Sequence, residues 1–436
     1  MAEIPMGSPD DASSAPWAAM NSGTIRAPIP PEELGTATIT PDGEFEAGSY
    51  NSFTLTYTAG KFGIDDSGSL RICFRFASDQ TRPQFEDPKR PNYTVIEASN
   101  KAVLEYRYDP KGNVRPWDRT LYIKVVNGFL REGDTITVRF GVTDGGSPGM
   151  RLQTFCEDTF EFRVLVDPIA TFNYQPLPVQ PVIRIIPGAP EKYIAVVPTM
   201  RRVGERFPLK VKGEDKWGNP SDRCKGSFRL RANVAVEGLP RTVTLEPGRF
   251  AVETPALFVA EPGDVEIWLE DDSGARVATA NPLRVVENTE LIPYWADLHG
   301  QSEETIGTGS ARQYFAFARD LAFVDATGHQ GNDFQITNEF WRKLDQLCDE
   351  FDEADHFVAL PGYEWSGNTG LGGDRNVFFP VKGRQIRRSS HALIEDYSDV
   401  YTDCNSAAEL FEAFAENEEW DVVVYAHCGG RYADVK

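Results

Sequence analysis

The stretch YWADLHGQS, Tyr294 to Ser302, sets Asp297 and His299 two residues apart at the end of an apolar run. Side chains at i and i+2 share one face of a strand, so both are expected to point the same way. A carboxylate and an imidazole converging from a strand end are what a divalent metal takes from a protein. The pattern recurs downstream. LAFVDATGHQGND puts Asp325, Thr327 and His329 on one face of a second strand, HFVALPGYEWSG ends a third apolar run in Glu364, and DVVVYAHCGG ends a fourth in His427. Four strands delivering ligand-type side chains at their exits predict a barrel with its chemistry at one mouth.

A lone histidine is more often a satisfied structural residue than a ligand. Here three of the five histidines end apolar strands, whereas His356 and His391 lack that setting and read as structural. A buried Glu364 is costly unless it is paired or metal-bound. The GLGGDRNVFF loop carries Arg375, and Arg431 follows the last strand. A guanidinium meets phosphate or carboxylate oxygens bidentately, so both are candidates for holding an anionic substrate, with a structural ion pair as the alternative. Arg384, Arg387 and Arg388 form a basic cluster that reads as a solvated loop. Glu303 and Glu304 are adjacent and face oppositely on regular structure, so at most one reaches a common site.

The elements that must position these residues change in texture along the 436-residue chain, which is long enough for two or three domains. Residues 1–34 are rich in Pro, Ser, Ala and acids without periodicity and read as a disordered lead-in. Residues 35–168 carry short alternating segments such as SFTLTYTAG and TLYIKVVNG between Gly, Asp, Asn and Pro clusters, the signature of an antiparallel β-sandwich. A proline-rich linker, 169–190, leads to a second β domain at 191–288. There KGEDKWGNPS resembles the strand and turn of bacterial immunoglobulin-like modules, Gly218 and Asn219 making a tight turn before Pro220. Trp217 and Trp268 read as core residues, with sugar stacking as the less frequent use of such rings. From 289 to 436, strand and helix alternate: Ser310 is placed to cap a helix over GSARQYFAFARD and Thr337 one over TNEFWRKLDQLCDEF, implying βα units and a largely parallel sheet or barrel.

The formal net charge is −22, which argues against a nucleic-acid or anionic-membrane partner. The six cysteines lack CxxC spacing, so no zinc finger or disulfide framework is announced. No apolar run reaches the ~18 residues of a membrane span and the N-terminus lacks a secretory pattern, so a soluble, cytoplasmic protein is expected.

ADLHGQS, ATGHQGND, PGYEWSGNTGLGGDRNVFF and YAHCGGR together resemble, in order, the motifs of the polymerase and histidinol phosphatase (PHP) superfamily, and more closely an uncharacterised PHP-like family with N-terminal β domains. The resemblance implies metal ligation by His299, His329, Glu364 and His427, with Asp297 where the superfamily has its first histidine. Gly328 stands in place of the usual Asp, and Asp325 is the candidate to compensate as a catalytic carboxylate. Cys428 replaces the usual Pro; it reads as a packed residue, with a softened, zinc-favouring site as the alternative.

The expected architecture is therefore two N-terminal all-β, immunoglobulin-like sandwiches followed by a partial α/β, PHP-like (TIM-like) barrel. Residues 291 to 436 number 146 against about 250 in a complete eight-stranded barrel, so a C-terminally truncated, weakly active form is expected. The expected activity is metal-dependent hydrolysis. The resemblance makes it a phosphoesterase of an anionic small molecule, with two or three Mn, Fe or Zn ions lowering the pKa of a shared water and Arg375 or Arg431 taking up charge. Amidohydrolase-type cleavage of C–N or ester bonds is the alternative, a glycosidase using Glu364 a third. From another class, a non-catalytic carbohydrate- or protein-binding β-domain protein with a decayed barrel also fits. The sequence sets no oligomeric state.

Overall fold

The computed structural model describes residues 29–417 and 419–427. Most of the proposed lead-in, residues 1–28, as well as Cys428 and Arg431, therefore lie outside the described residues. No helix among the described residues is long and apolar enough to cross a membrane.

The chain divides into two compact units, residues 1–153 with 159–184, and residues 154–158 with 185–436. In the first, residues alternate strictly between buried and half-buried along Phe53–Ala59, the period-two pattern that one wet face dictates. That strand sits inside a four-stranded antiparallel sheet, between Gly35–Thr40 and Thr135–Phe140. A five-stranded antiparallel sheet contains Ser69–Phe74 between Arg163–Asp167 and Arg119–Asn127. Rings from both sheets meet in the core, Phe74 lying edge-on to Phe140 at 6.1 Å between centroids.

The second unit begins with further β-sheets packed on Phe207, Leu209, Phe228, Leu257 and Leu269. Asp215 organises the GEDKWGNPS turn: its carboxylate accepts from the backbone N–H groups of Trp217 and Asn219, and Gly218 takes φ +94°. Trp217 is 43% exposed rather than in the core. Trp268 is half-buried beneath the Arg276 guanidinium, 4.2 Å from its ring centroid.

The remainder of this unit positions the expected site. Three parallel strands, Ala296–Gly300, Ala326–His329 and Val358–Leu360, pair in that order. Helix α1 (Ala311–Phe317) connects the first two, its Ser310 cap forming a reciprocal capping box with Gln313. Helix α2 (Asn338–Phe351), capped by Thr337, connects the second and third. It buries Phe340, Trp341, Leu344, Leu347, Cys348 and Phe351, an apolar stripe at helical spacing. Helix α3 (Ala407–Glu416) precedes the last described strand.

Among the described residues the TIM-like barrel does not form, and those residues are mostly β-sheet with three short α-helices. The βα alternation stops after the third parallel strand. Gly362–Trp365 and Arg375–Phe378 are joined by residues 366–374, too short for the dozen or more residues that a parallel crossover needs. They pair antiparallel, and Val423–Ala426 adds antiparallel to the other edge. Among the described residues, a three-stranded parallel sheet and a three-stranded antiparallel sheet therefore stand where the barrel was expected.

Candidate metal centre

Glu364 lies in the antiparallel sheet, its side chain 6% exposed. His299 leaves the first parallel strand and His427 follows the last described strand. His299 Nε2 is 3.7 Å from Glu364 Oε2, and His427 Nε2 is 3.9 Å from Glu364 Oε1. The two imidazoles stack, centroids 4.2 Å apart and planes 29° from parallel. One ligand atom from each of the three residues fits within 4.8 Å of the others.

Electrostatics keep both rings in the form that donates a lone pair. Burial and the adjacent His427 hold His299 below the usual imidazole range, against Asn376 and Asp297, which raise it. Burial alone holds His427 low. Gln301 Nε2 donates to Glu364 Oε2 at 3.3 Å, and the His427 backbone N–H donates to the Asp374 carbonyl at 3.0 Å.

These donors fit a divalent ion. Bonds of about 2.1 Å around a tetrahedral centre put ligand atoms about 3.4 Å apart, within half an ångström of the two N···O separations observed. A buried carboxylate between neutral imidazoles is also the charge balance that a cation completes.

The other expected ligands do not join the cluster. Between Asp297 and Gly300 the first parallel strand spends three steps against two on its partner, since Asp297 pairs with Thr327 but Gly300 with His329. This bulge breaks the period-two alternation that would have put Asp297 and His299 on one face. Asp297 instead turns back along its own strand, accepting from the His299 backbone N–H at 3.1 Å, and is exposed. His329 is fully enclosed: its Nδ1 accepts from the Gly331 backbone N–H at 3.2 Å, so the proton sits on Nε2 and is donated to Ser302 Oγ at 2.8 Å. Both ring nitrogens are thus engaged, and burial pushes the imidazole down to about 4.

Of the expected catalytic groups, Asp325 is set apart from the cluster. Asp325 lies at the entrance of the second parallel strand, opposite to its His329 end, and accepts from the Trp295 backbone N–H at 2.8 Å. Arg375 donates to the Asp374 carbonyl at 3.0 Å. Glu304 accepts from the Ala311 backbone N–H and from Lys343, at the start of α1. Gly328 has a packing reason: a Cβ there would lie 2.7 Å from Phe378 Cε1, so the carboxylate of the PHP motif has no room.

One polar cluster escaped the sequence reading. Arg388, expected in a solvated loop, is fully buried and donates to the Ile336 carbonyl, Asn338 and Asp399. His391 lies between Asp403 at 2.8 Å and Asp399 at 2.9 Å. A signal existed in the spacing of Asp399 and Asp403 after RRSSH, but local charge patterning cannot tell a buried ion network from a wet one.

No family model matches the chain. Among curated proteins it is 25% identical over 284 residues to an uncharacterised protein of Chlamydia pneumoniae, covering 62% of this chain and 44% of that one. Uncharacterised proteins of Chlamydia muridarum (22% identity, 66% of this chain, 52% of the relative) and Chlamydia trachomatis (23%, 72% and 50%) also match. The chain spans about half the length of the curated relatives it matches. Solved structures similar to it include the Escherichia coli adhesin FdeC (TM-score 0.19, 14% identity, 60% of this chain and 67% of that one) and the Yersinia pseudotuberculosis adhesin InvE (0.18, 12%, 58% and 58%). A CBM3a-L domain from a Clostridium thermocellum cellulosome scaffoldin covers 29% of this chain and 76% of its own (0.18, 15%). Scores this low establish no shared architecture.

Two expectations are corrected. The PHP resemblance, confined to short strand-end motifs, is supported neither by a family match nor by the fold, which is β-rich and lacks the barrel among the described residues. The hydrolase expectation falls with it. Asp325 lies at the opposite strand end, the hydrogen bonds of His329 and Asp297 go to other groups, and the relatives found contribute no catalytic assignment.

Proposed function

We propose that this chain is a non-catalytic recognition protein of β domains whose C-terminal part is braced by one divalent metal ion. His299, Glu364 and His427 would hold the ion. The observation supporting this reading is the triangle of His299, the buried Glu364 and His427, whose ligand atoms lie within 4.8 Å of one another. The donor set suits zinc, and manganese or iron accept the same donors. When bound, the ion would supply a cross-link, since His299 arrives from the parallel sheet while Glu364 and His427 come from the antiparallel one. Three donors also leave a coordination position for an oxygen from a protein or carbohydrate partner.

Elemental mass spectrometry of the purified chain after exchange into metal-free buffer tests the reading. About one equivalent of Zn, Mn or Fe in the parent, lost in both Glu364→Gln and His427→Ala, is expected. A parent that takes up no metal when Zn, Mn or Fe is offered, while remaining folded, overturns it.

A further inference from the structure

A cleft lies at the other end of the parallel sheet. There the entrances of the three strands, with Tyr294, Trp295, Asp325 and Val358, face the β region carrying Val197, Arg201 and Phe207 across a cleft of about 870 Å³. That is within the size range of small-ligand sites. It shares no residue with the His299, Glu364 and His427 cluster.

Three features mark the cleft as built for a ligand. All three non-glycine residues with positive φ among the described residues of this unit line it: Ala256 at +64°, Phe323 at +63° and Asp355 at +63°. Phe323 takes this conformation as the C-cap of the helical turn Ala318–Ala322, while at Ala256 and Asp355 it costs free energy, and such residues collect at ligand sites, where surrounding structure holds them. A β-bulge between Phe207 and Leu209 re-aims the wall formed by Phe207 and Pro208. Finally, two large aromatic side chains stand open to solvent beside it, Tyr294 at 64% and Trp295 at 62%.

The aromatics are held in place. The Trp295 backbone is tied to Asp325, and its indole Nε1 donates to Thr199 Oγ1 at 3.4 Å. The Arg201 guanidinium lies 5.8 Å from the Tyr294 ring centroid, and Arg201 is itself 3.7 Å from Glu205. Around the rings, charges nearly cancel: Arg201, Arg206 and Lys210 stand against Glu205, Glu253, Asp325 and Asp355. A cleft without a dominant sign does not select an anion or a cation. It offers charged donors and acceptors side by side with exposed aromatic faces. A carbohydrate matches that lining, its hydroxyls pairing with both kinds of polar group and its C–H faces covering the rings.

We infer that this cleft is a carbohydrate-binding site taking a short, uncharged oligosaccharide, with Tyr294 and Trp295 as the stacking platform. Isothermal titration calorimetry of the full chain against neutral gluco-, xylo-, manno- and N-acetylchito-oligosaccharides tests it, alongside Trp295→Ala, Tyr294→Ala and Trp217→Ala. At least one saccharide class is expected to bind the parent and to bind Trp295→Ala and Tyr294→Ala about tenfold more weakly, with Trp217→Ala unchanged. If Trp295→Ala does not fold, Tyr294→Ala and Arg201→Ala carry the test. Absence of binding by every class at millimolar saccharide overturns the proposal. So does binding undiminished in the cleft variants, or selective capture of a peptide by the parent through Trp295 with no saccharide bound. Metal removal by a chelator leaves the expected saccharide affinity intact, so failure of the metal site and failure of the cleft are separately visible.

Discussion

Gly328 and Phe378 share one volume, the ring of Phe378 lying where a side chain at 328 would begin, 2.7 Å from the ideal Cβ position. The contact joins the parallel sheet to the antiparallel one. It makes the glycine a packing residue rather than a lost ligand. Gly328→Asp is therefore expected to destabilise the protein by at least about 2 kcal/mol, since it overpacks a closed contact and buries a charge. Urea denaturation checks the loss, and metal titration of the variant is expected to show no gain in affinity.

If one ion bridges the two sheets, metal raises stability by mass action. With free zinc at about 100 times its dissociation constant, the gain is about 2.7 kcal/mol. Calorimetric scans with zinc and with a chelator are expected to differ for the parent and to coincide for Glu364→Gln. A difference that persists in Glu364→Gln would assign the effect to other ligands.

His391 supplies a pH dependence whose sign is fixed by its partners. Burial lowers its affinity for a proton, but the hydrogen bonds it donates to Asp403 and Asp399 and the charge of Asp403 prevail, against Arg388, and the imidazole is raised above its ordinary 6.5. Tyr397 stacks on the ring with a 5.7 Å centroid separation. A raised folded-state value means that the contribution is complete below the unfolded value and is lost as pH rises through the folded one. The parent is thus expected to lose stability on the alkaline side of 6.5 more steeply than His391→Gln, measured by denaturant midpoints between pH 5 and 9.

Arg388 serves the same network from a fully buried position. Arg388→Ala would leave the Asp399 carboxylate with His391 alone of its two cationic partners and the Ile336 carbonyl short of a donor. Because Arg388 is fully buried while Asp399 is only part-buried and keeps His391, the expected cost is about 2–3 kcal/mol, below that of breaking a fully buried pair. A thermal midpoint within a degree or two of the parent's would show the network to be energetically idle.

What the sequence determined by itself was local. Alternating burial along Phe53–Ala59, the Ser310 and Thr337 caps, the stripe on α2 and the Asp215–Asn219 turn all depend on neighbours within a few residues, where period and hydrogen-bond chemistry act directly. His299, Glu364 and His427 were legible for a related reason, as polar ligand types closing apolar runs. The tertiary structure decided which of these meet. A one-residue bulge turned Asp297 away, the Gly331 amide and Ser302 used up His329, and the short 366–374 connection made the next pair antiparallel where a βα repeat was expected. Burial of Arg388 likewise depends on Ile336 and Asn338, about fifty positions away in sequence. Contacts at that separation are set by how sheets and helices stack, which no local period encodes.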